Sequence, residues 1–190
     1  MGKLRKRITS TIGIILVVTI VILLIYMEWT RKTNMKEEAT EKSLTEAEKL
    51  LERDLDTNYP GTPREVAKYY SSITELLYSG IEDEEIEGLA KKIRLLYDDE
   101  LLQSNPEEIY LTELYSDIAA WNKAERTITN YLLVNEELET REERDGREYA
   151  NVYVSYTIQE KGKVSEVRKY IMRKSEDGKW KIFTWNFYHE

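Results

Sequence analysis

Residues 8–27, ITSTIGIILVVTIVILLIYM, contain no charged side chain. Wound as an α-helix at 1.5 Å per residue, the run is about 30 Å long, the hydrocarbon thickness of a bilayer. Ile8, Ile12, Leu16, Ile20, Leu24 and Met27 mark its successive turns. Lys3, Arg5, Lys6 and Arg7 precede it, and the positive-inside rule then keeps the N-terminus in the cytoplasm. Tyr26 and Trp29 fall at headgroup level, where aromatic belts form. A cleaved signal peptide is the rival reading. Against it, the apolar run exceeds a usual signal core, and YMEWTRKT offers no small-x-small cleavage site. The expected organisation is a cytoplasmic tail over residues 1–7 and a single-pass signal anchor over 8–27. A stalk follows over 28–42, then an extracytoplasmic domain over 43–190 at the cell membrane.

Charge divides at the same place. Of 28 basic and 36 acidic residues, six and one lie up to Met35, which leaves 22 and 35 beyond it, a net of −13. Such a domain repels nucleic acid and anionic lipid, so the bilayer contact is expected through residues 8–27 alone and no nucleic-acid partner is expected. The chain has no cysteine, which excludes disulfides, thiolate catalysis and cysteine-rich metal sites. It suits a bacterial surface that lacks disulfide machinery, and there is no Asn-x-Ser/Thr acceptor.

Beyond the stalk the hydrophobic period is helical, then switches to two. Ser43 to Glu46, SLTE, has the form of a capping box and opens a helix with Leu44, Ala47, Leu51 and Leu55 on one side. Thr62, Pro63 and Glu65 start a second, with a stripe of Val66, Tyr69, Tyr70, Ile73, Leu76 and Leu77, ended by Gly80. A third carries Ile86, Leu89, Ala90, Ile93, Leu96 and Tyr97, with a continuation or restart at DDELL. Asn105 and Pro106 open a fourth, with Ile109, Leu114, Ile118, Trp121 and Ala124 inward. Four strands follow: TITNYLLVNEELE, the alternating REYANVYVSYTIQE, Val164 to Lys174, and Lys179 to about Tyr188. Their turns suit hairpins. The fold class expected is α+β, with helices packed on a curved antiparallel four-stranded meander.

The last strand, GKWKIFTWNFYHE, poses a problem. A two-residue period puts Trp180 and Ile182 on one face and Phe183, Trp185 and Phe187 on the other. Three arrangements accommodate aromatic rings on both faces: a sheet curved around a helix or pocket, a β-bulge near Ile182 and Phe183, or cover by another protein.

The closing hairpin also carries a resemblance. Met172, Lys174, Asp177, Gly178, Trp180, Lys181 and Ile182 match a pattern common in the nuclear transport factor 2-like superfamily, the cone folds that include SnoaL-like domains. YPGTPREVAKYY, DDELL…NP and WKIFTW are further similar to a family of single-pass membrane proteins from clostridia-type Gram-positive bacteria. The resemblance implies a cone fold but no one activity, since the superfamily spans isomerases, dehydratases, carriers and assembly scaffolds.

Chemistry is sparsely marked. The single histidine, His189, is next to last and reads as a terminal surface residue. IEDEEIEG and LYDDELL lack the form of a calcium loop and read as helix starts, so neither a metal nor a cofactor is expected. By likeness to cone-fold enzymes, Asp117 and Tyr156 are the weak catalytic candidates. Fourteen tyrosines suit pocket walls and interfaces, or the core and its edge. Tyr149, Tyr153, Trp180, Phe183, Trp185 and Phe187 are the expected ligand or partner surface. The functional expectation is non-enzymatic binding of a small ligand, an envelope protein, or further copies in a homo-oligomer. The alternative is a lyase, isomerase or hydrolase acting inside the cone.

Overall fold

The computed structural model describes residues 45–81, 83–134 and 139–188. The apolar run over 8–27, the basic residues before it and the stalk over 28–42 lie outside them. Among the described residues no helix is long and apolar enough to cross a membrane.

Five helices come first: α1 (Glu46–Glu52), α2 (Pro63–Leu77), α3 (Asp83–Arg94), α4 (Asp99–Ser104) and α5 (Glu107–Lys123). The first cap sits two residues later than expected. Thr45 Oγ1 accepts from the Glu48 amide at 3.1 Å, and the Glu48 carboxylate accepts from the Thr45 amide at 2.7 Å. TEAE satisfies the same motif as SLTE, and the helix takes the one beside its buried Ala47. The second box stands as read, with Thr62, Glu65 and Pro63 in the first turn. It satisfies amide donors that would otherwise be orphaned, at about 1 kcal/mol per cap. Val66, Tyr69, Tyr70, Ile73 and Leu77 are buried along α2. In α3 acids fill the first turn and bases the last, as the helix dipole favours. Its Gly88 lets α1 approach: a Cβ there would lie 2.8 Å from Leu51 Cδ2.

The start of α5 departs from the expectation. Pro106 occupies the cap position, and no side chain caps the helix. The Asn105 carboxamide instead donates back to Leu101 O at 3.0 Å and closes α4. Leu114 and Ile118 are buried, but Ile109 is 55% exposed and Ala124 is exposed. The inward stripe of α5 is therefore shorter than the periodicity implied.

Five strands follow, not four: β1 (Thr127–Leu133), β2 (Thr140–Arg144), β3 (Arg147–Gln159), β4 (Lys163–Lys174) and β5 (Trp180–Phe187). The segment expected as one first strand is divided. β1 pairs with the C-terminal half of β3 and β2 with its N-terminal half, both antiparallel. Arg64 of α2 stands at the interruption, donating to Val134 O at 3.1 Å and ion-pairing with Glu139. Asp145 and Gly146, both at positive φ, make the two-residue turn into β3. The sheet runs β1-β3-β4-β5 with β2 beside β3, and it is curved and unclosed. Val152, Val154, Tyr156, Ile158, Tyr170, Met172 and Ile182 are at most 2% exposed and join the helix side chains in one core.

A bulge resolves the last strand. Ile171 pairs with Thr184 but Met172 with Ile182, so Phe183 is an extra residue in β5. Trp185 lies opposite Tyr170 and Phe187 opposite Arg168, on the face that carries Met172 and Ile182. The expectation that Phe183, Trp185 and Phe187 share a face is thus corrected: only Phe183 takes the outer face. Beyond β5 the chain clips on once more. Ile182 N–H donates to Leu96 O at 2.8 Å, and Asp98 N–H donates to Ile182 O at 2.9 Å, a short parallel bridge along the strand's free side.

Candidate functional site

Helical spacing aligns Tyr70, Thr74, Leu77 and Tyr78 on one face of α2, and Tyr110, Leu114, Asp117 and Trp121 on one face of α5. Between these faces and β4–β5 lies a cavity of about 280 Å³, whose sheet side is Arg168, Trp185 and Phe187. A more open recess of about 530 Å³ adjoins it and shares Tyr78, Tyr110, Leu114, Asp117 and Trp185. The bulge at Phe183 is what delivers Trp185 and Phe187 to this space.

Aromatic rings brace one another around it. Tyr97 stacks on Trp185 at 5.9 Å, Tyr110 stands edge-on to Tyr97 at 6.1 Å, and Tyr78 packs on Trp121 at 4.5 Å. Burial pushes the Tyr70, Tyr97 and Tyr110 hydroxyls above the usual phenol range. They therefore stay protonated and offer a ligand neutral donors and acceptors. Tyr78 is pushed up too, by burial first and then by Asp117, whose Oδ2 accepts its proton at 2.6 Å.

One cation joins these rings. Arg168 turns Nε and Nη2 toward Glu166 Oε1 at 2.8 and 2.7 Å and lies over the Tyr156 and Phe187 rings. Its Nη1 makes no hydrogen bond within the described residues. Glu166 Oε2 is 3.9 Å from Arg126, which stacks on Trp121 at 4.1 Å.

The two catalytic candidates are differently placed. Asp117 is exposed on the cavity rim. Tyr156 is fully buried, its hydroxyl 2.7 Å from both Ser71 Oγ and Tyr170 OH, and burial raises its pKa. The expected aromatic surface separates into three. Trp180 is a core residue at 5% exposure. Trp185 and Phe187 border the cavity. Tyr149 and Phe183 meet edge-on at 6.0 Å on the outer face, where Tyr153 meets Tyr188 at 5.0 Å.

A larger, charged groove of about 890 Å³ lies by the β2–β3 and β4–β5 turns. Three of its four cations are engaged by neighbours: Arg173 with Asp98 and Glu100, Lys174 with Glu148, and Lys181 with Leu95 O, while Arg147 is exposed. No group of three or more metal-ligating side chains occurs among the described residues.

The family model for a domain of unknown function, DUF6715, matches residues 1–185. The chain belongs to the DUF6715 family. The match begins at residue 1, so it takes in the basic start and the apolar run together with the α+β domain. No curated protein matches this DUF6715 chain.

Sequence reading missed Arg168, Arg126 and the α5 stripe as parts of one site. The signal for Arg168 was present: Glu166, Arg168, Tyr170 and Met172 alternate onto the core face, so a guanidinium there had to be neutralised or to face a cavity.

Proposed function

We propose that this DUF6715 protein is a membrane-tethered, extracytoplasmic binding domain of the nuclear transport factor 2-like class. It holds a small organic ligand between its helices and β4–β5 without transforming it. The observation that carries this reading is the cavity lined by Tyr97, Tyr110, Trp185 and Arg168, where apolar walls and a few convergent polar groups coincide. At about 280 Å³ it suits a ligand smaller than a drug-sized molecule. The tether, read from residues 8–27, concentrates the domain in a thin layer at the membrane. The cone-fold assignment rests on the hairpin motif and the α+β order of elements.

An enzyme in the same cavity is the rival, and it needs a base. Asp117 is exposed and already accepts a hydrogen bond from Tyr78, while Tyr156 is sealed between Ser71 and Tyr170. Both positions favour binding over turnover.

The test uses the full chain in lipid nanodiscs, screened with small aromatic and aliphatic fragments by ligand-observed NMR. Leu114 borders both the cavity and the recess, so Leu114→Trp should plug the site and abolish fragment signals. Fragment binding that survives the plug, or no binding to the unmodified protein, defeats the proposal. Protease added to intact cells should remove residues 43–190, and a protected domain would refute the topology.

A further inference from the structure

Arg168 is held from one side only. Glu166 takes Nε and Nη2 through a single oxygen, while Nη1 is left without a partner among the described residues on a side chain that borders the cavity. Glu166 is shared: its other oxygen lies 3.9 Å from Arg126. Two guanidiniums thus share the Glu166 carboxylate, and the second negative charge near them, Asp117, stands at the cavity rim. The Arg126 Nε is itself buried and unpaired. The open donor of Arg168 is reachable from the cavity, so an acceptor entering there can complete it.

We infer that the ligand is a small planar organic anion, with a carboxylate or equivalent acid group at Arg168 and an aromatic or unsaturated body against Trp185 and Tyr97. This rests on the pocket reading above and names its ligand class. Three features converge on it. Arginine binds carboxylates through paired N–H donors, and these charge-assisted bonds are roughly twice as strong as neutral ones. Neutral phenols at Tyr70, Tyr97 and Tyr110 supply further donors without competing negative charge. Trp185, partly exposed on the lining and fixed by its stack on Tyr97, offers indole surface to a flat body. Asp117, the one acid on the lining, stands at the rim and is hydrogen-bonded by Tyr78, so the acid group is directed inward to Arg168.

Three probes share one ring and differ in charge: benzoate, benzamide and benzylammonium. Binding to the full chain in nanodiscs is followed by NMR, with Trp fluorescence as a second readout. Benzoate should bind at least tenfold more tightly than benzamide, and benzylammonium more weakly than either. Arg168→Gln should bring benzoate down to the level of benzamide, and Arg168→Lys should restore part of the difference. Equal affinity for benzoate and benzamide, or a preference for benzylammonium, overturns the inference while leaving the pocket reading intact. Failure of all three probes defeats both. The comparison on the unmodified protein decides the matter even where Arg168→Gln does not fold.

Discussion

Trp185 stacks on Tyr97 with ring centroids 5.9 Å apart and planes at 29°, a contact on the cavity lining that joins β5 to the segment following α3. It exists because the one extra residue, Phe183, is taken up in a bulge. Deleting Phe183 closes the bulge with Thr184 still opposite Ile171 and Trp185 still opposite Tyr170, so Trp185 and Phe187 keep the cavity side in strict alternation. The deletion should therefore cost only the outer packing of the Phe183 ring, about 1–2 kcal/mol. Phe183→Ala keeps the bulge and loses the same outer contacts with Tyr149 and Arg173, so it should cost a similar amount. Urea unfolding of both variants checks the match, and a deletion far costlier than the alanine would contradict it.

Asp98 and Arg173 form a bidentate ion pair buried on the outer face, each at most 6% exposed. Asp98→Ala leaves a guanidinium desolvated beside Phe183 and should destabilise the domain by about 3–5 kcal/mol. Glu100 also accepts from Arg173, but its side chain is 60% exposed, so Glu100→Gln should cost less than about 1 kcal/mol. Thermal melts separate the two, and equal losses would show that solvent, not Arg173, satisfies Asp98.

Alkaline stability follows from the tyrosines. Burial raises the pKa of Tyr59, Tyr69, Tyr70, Tyr78, Tyr97, Tyr110, Tyr156 and Tyr170 above the ordinary 10.0. Above pH 10 the unfolded chain has released these protons and the folded one has kept them. Folding then binds protons, and stability falls as pH rises, by up to about 1.4 kcal/mol per pH unit for each such tyrosine. Below pH 10 the contribution is complete. Absorbance at 295 nm should show these eight phenols ionising only with unfolding. Ionisation of these eight near pH 10 without unfolding would mean the cavity walls are wet.

Gly88 sets how closely α1 lies on α3. Gly88→Ala gains roughly 1 kcal/mol of helix propensity and displaces only the flexible end of Leu51, so it should be close to neutral. Gly88→Ile has no room without moving α1 and should cost about 1–3 kcal/mol as overpacking. Hydrogen exchange should then quicken in Glu46–Glu52 and leave the sheet protected. Uniform quickening would mean α1 is not a separate layer.

What was legible in the sequence depended on the range of the interaction that decides it. The Thr62–Glu65 box, the α2 stripe and the alternation of Val152 to Ile158 are settled within a few residues, and each was readable. The bulge was one of three options because Phe183 is extra only relative to Met172 on another strand. The break between β1 and β2 escaped because Arg64, far away in sequence, stands at the step. Asn105 and Ile109 were misread for a like reason: local pattern gave Asn105 a cap and Ile109 a core, but α4 claims the carboxamide and nothing covers the isoleucine. The cavity draws its walls from α2, α3, α5 and two strands, so no single stretch announces it.

The short parallel clip of residues 96–98 along Ile182 has a consequence for company rather than for shape. An uncovered margin of a sheet is a template on which the next chain can zip, through amides and carbonyls that discriminate poorly between self and stranger. By occupying that seam with its own backbone, the molecule makes the ladder finite where β5 begins. At that seam crowded copies are left to meet through side chains, which can be selective, in place of main chain, which cannot.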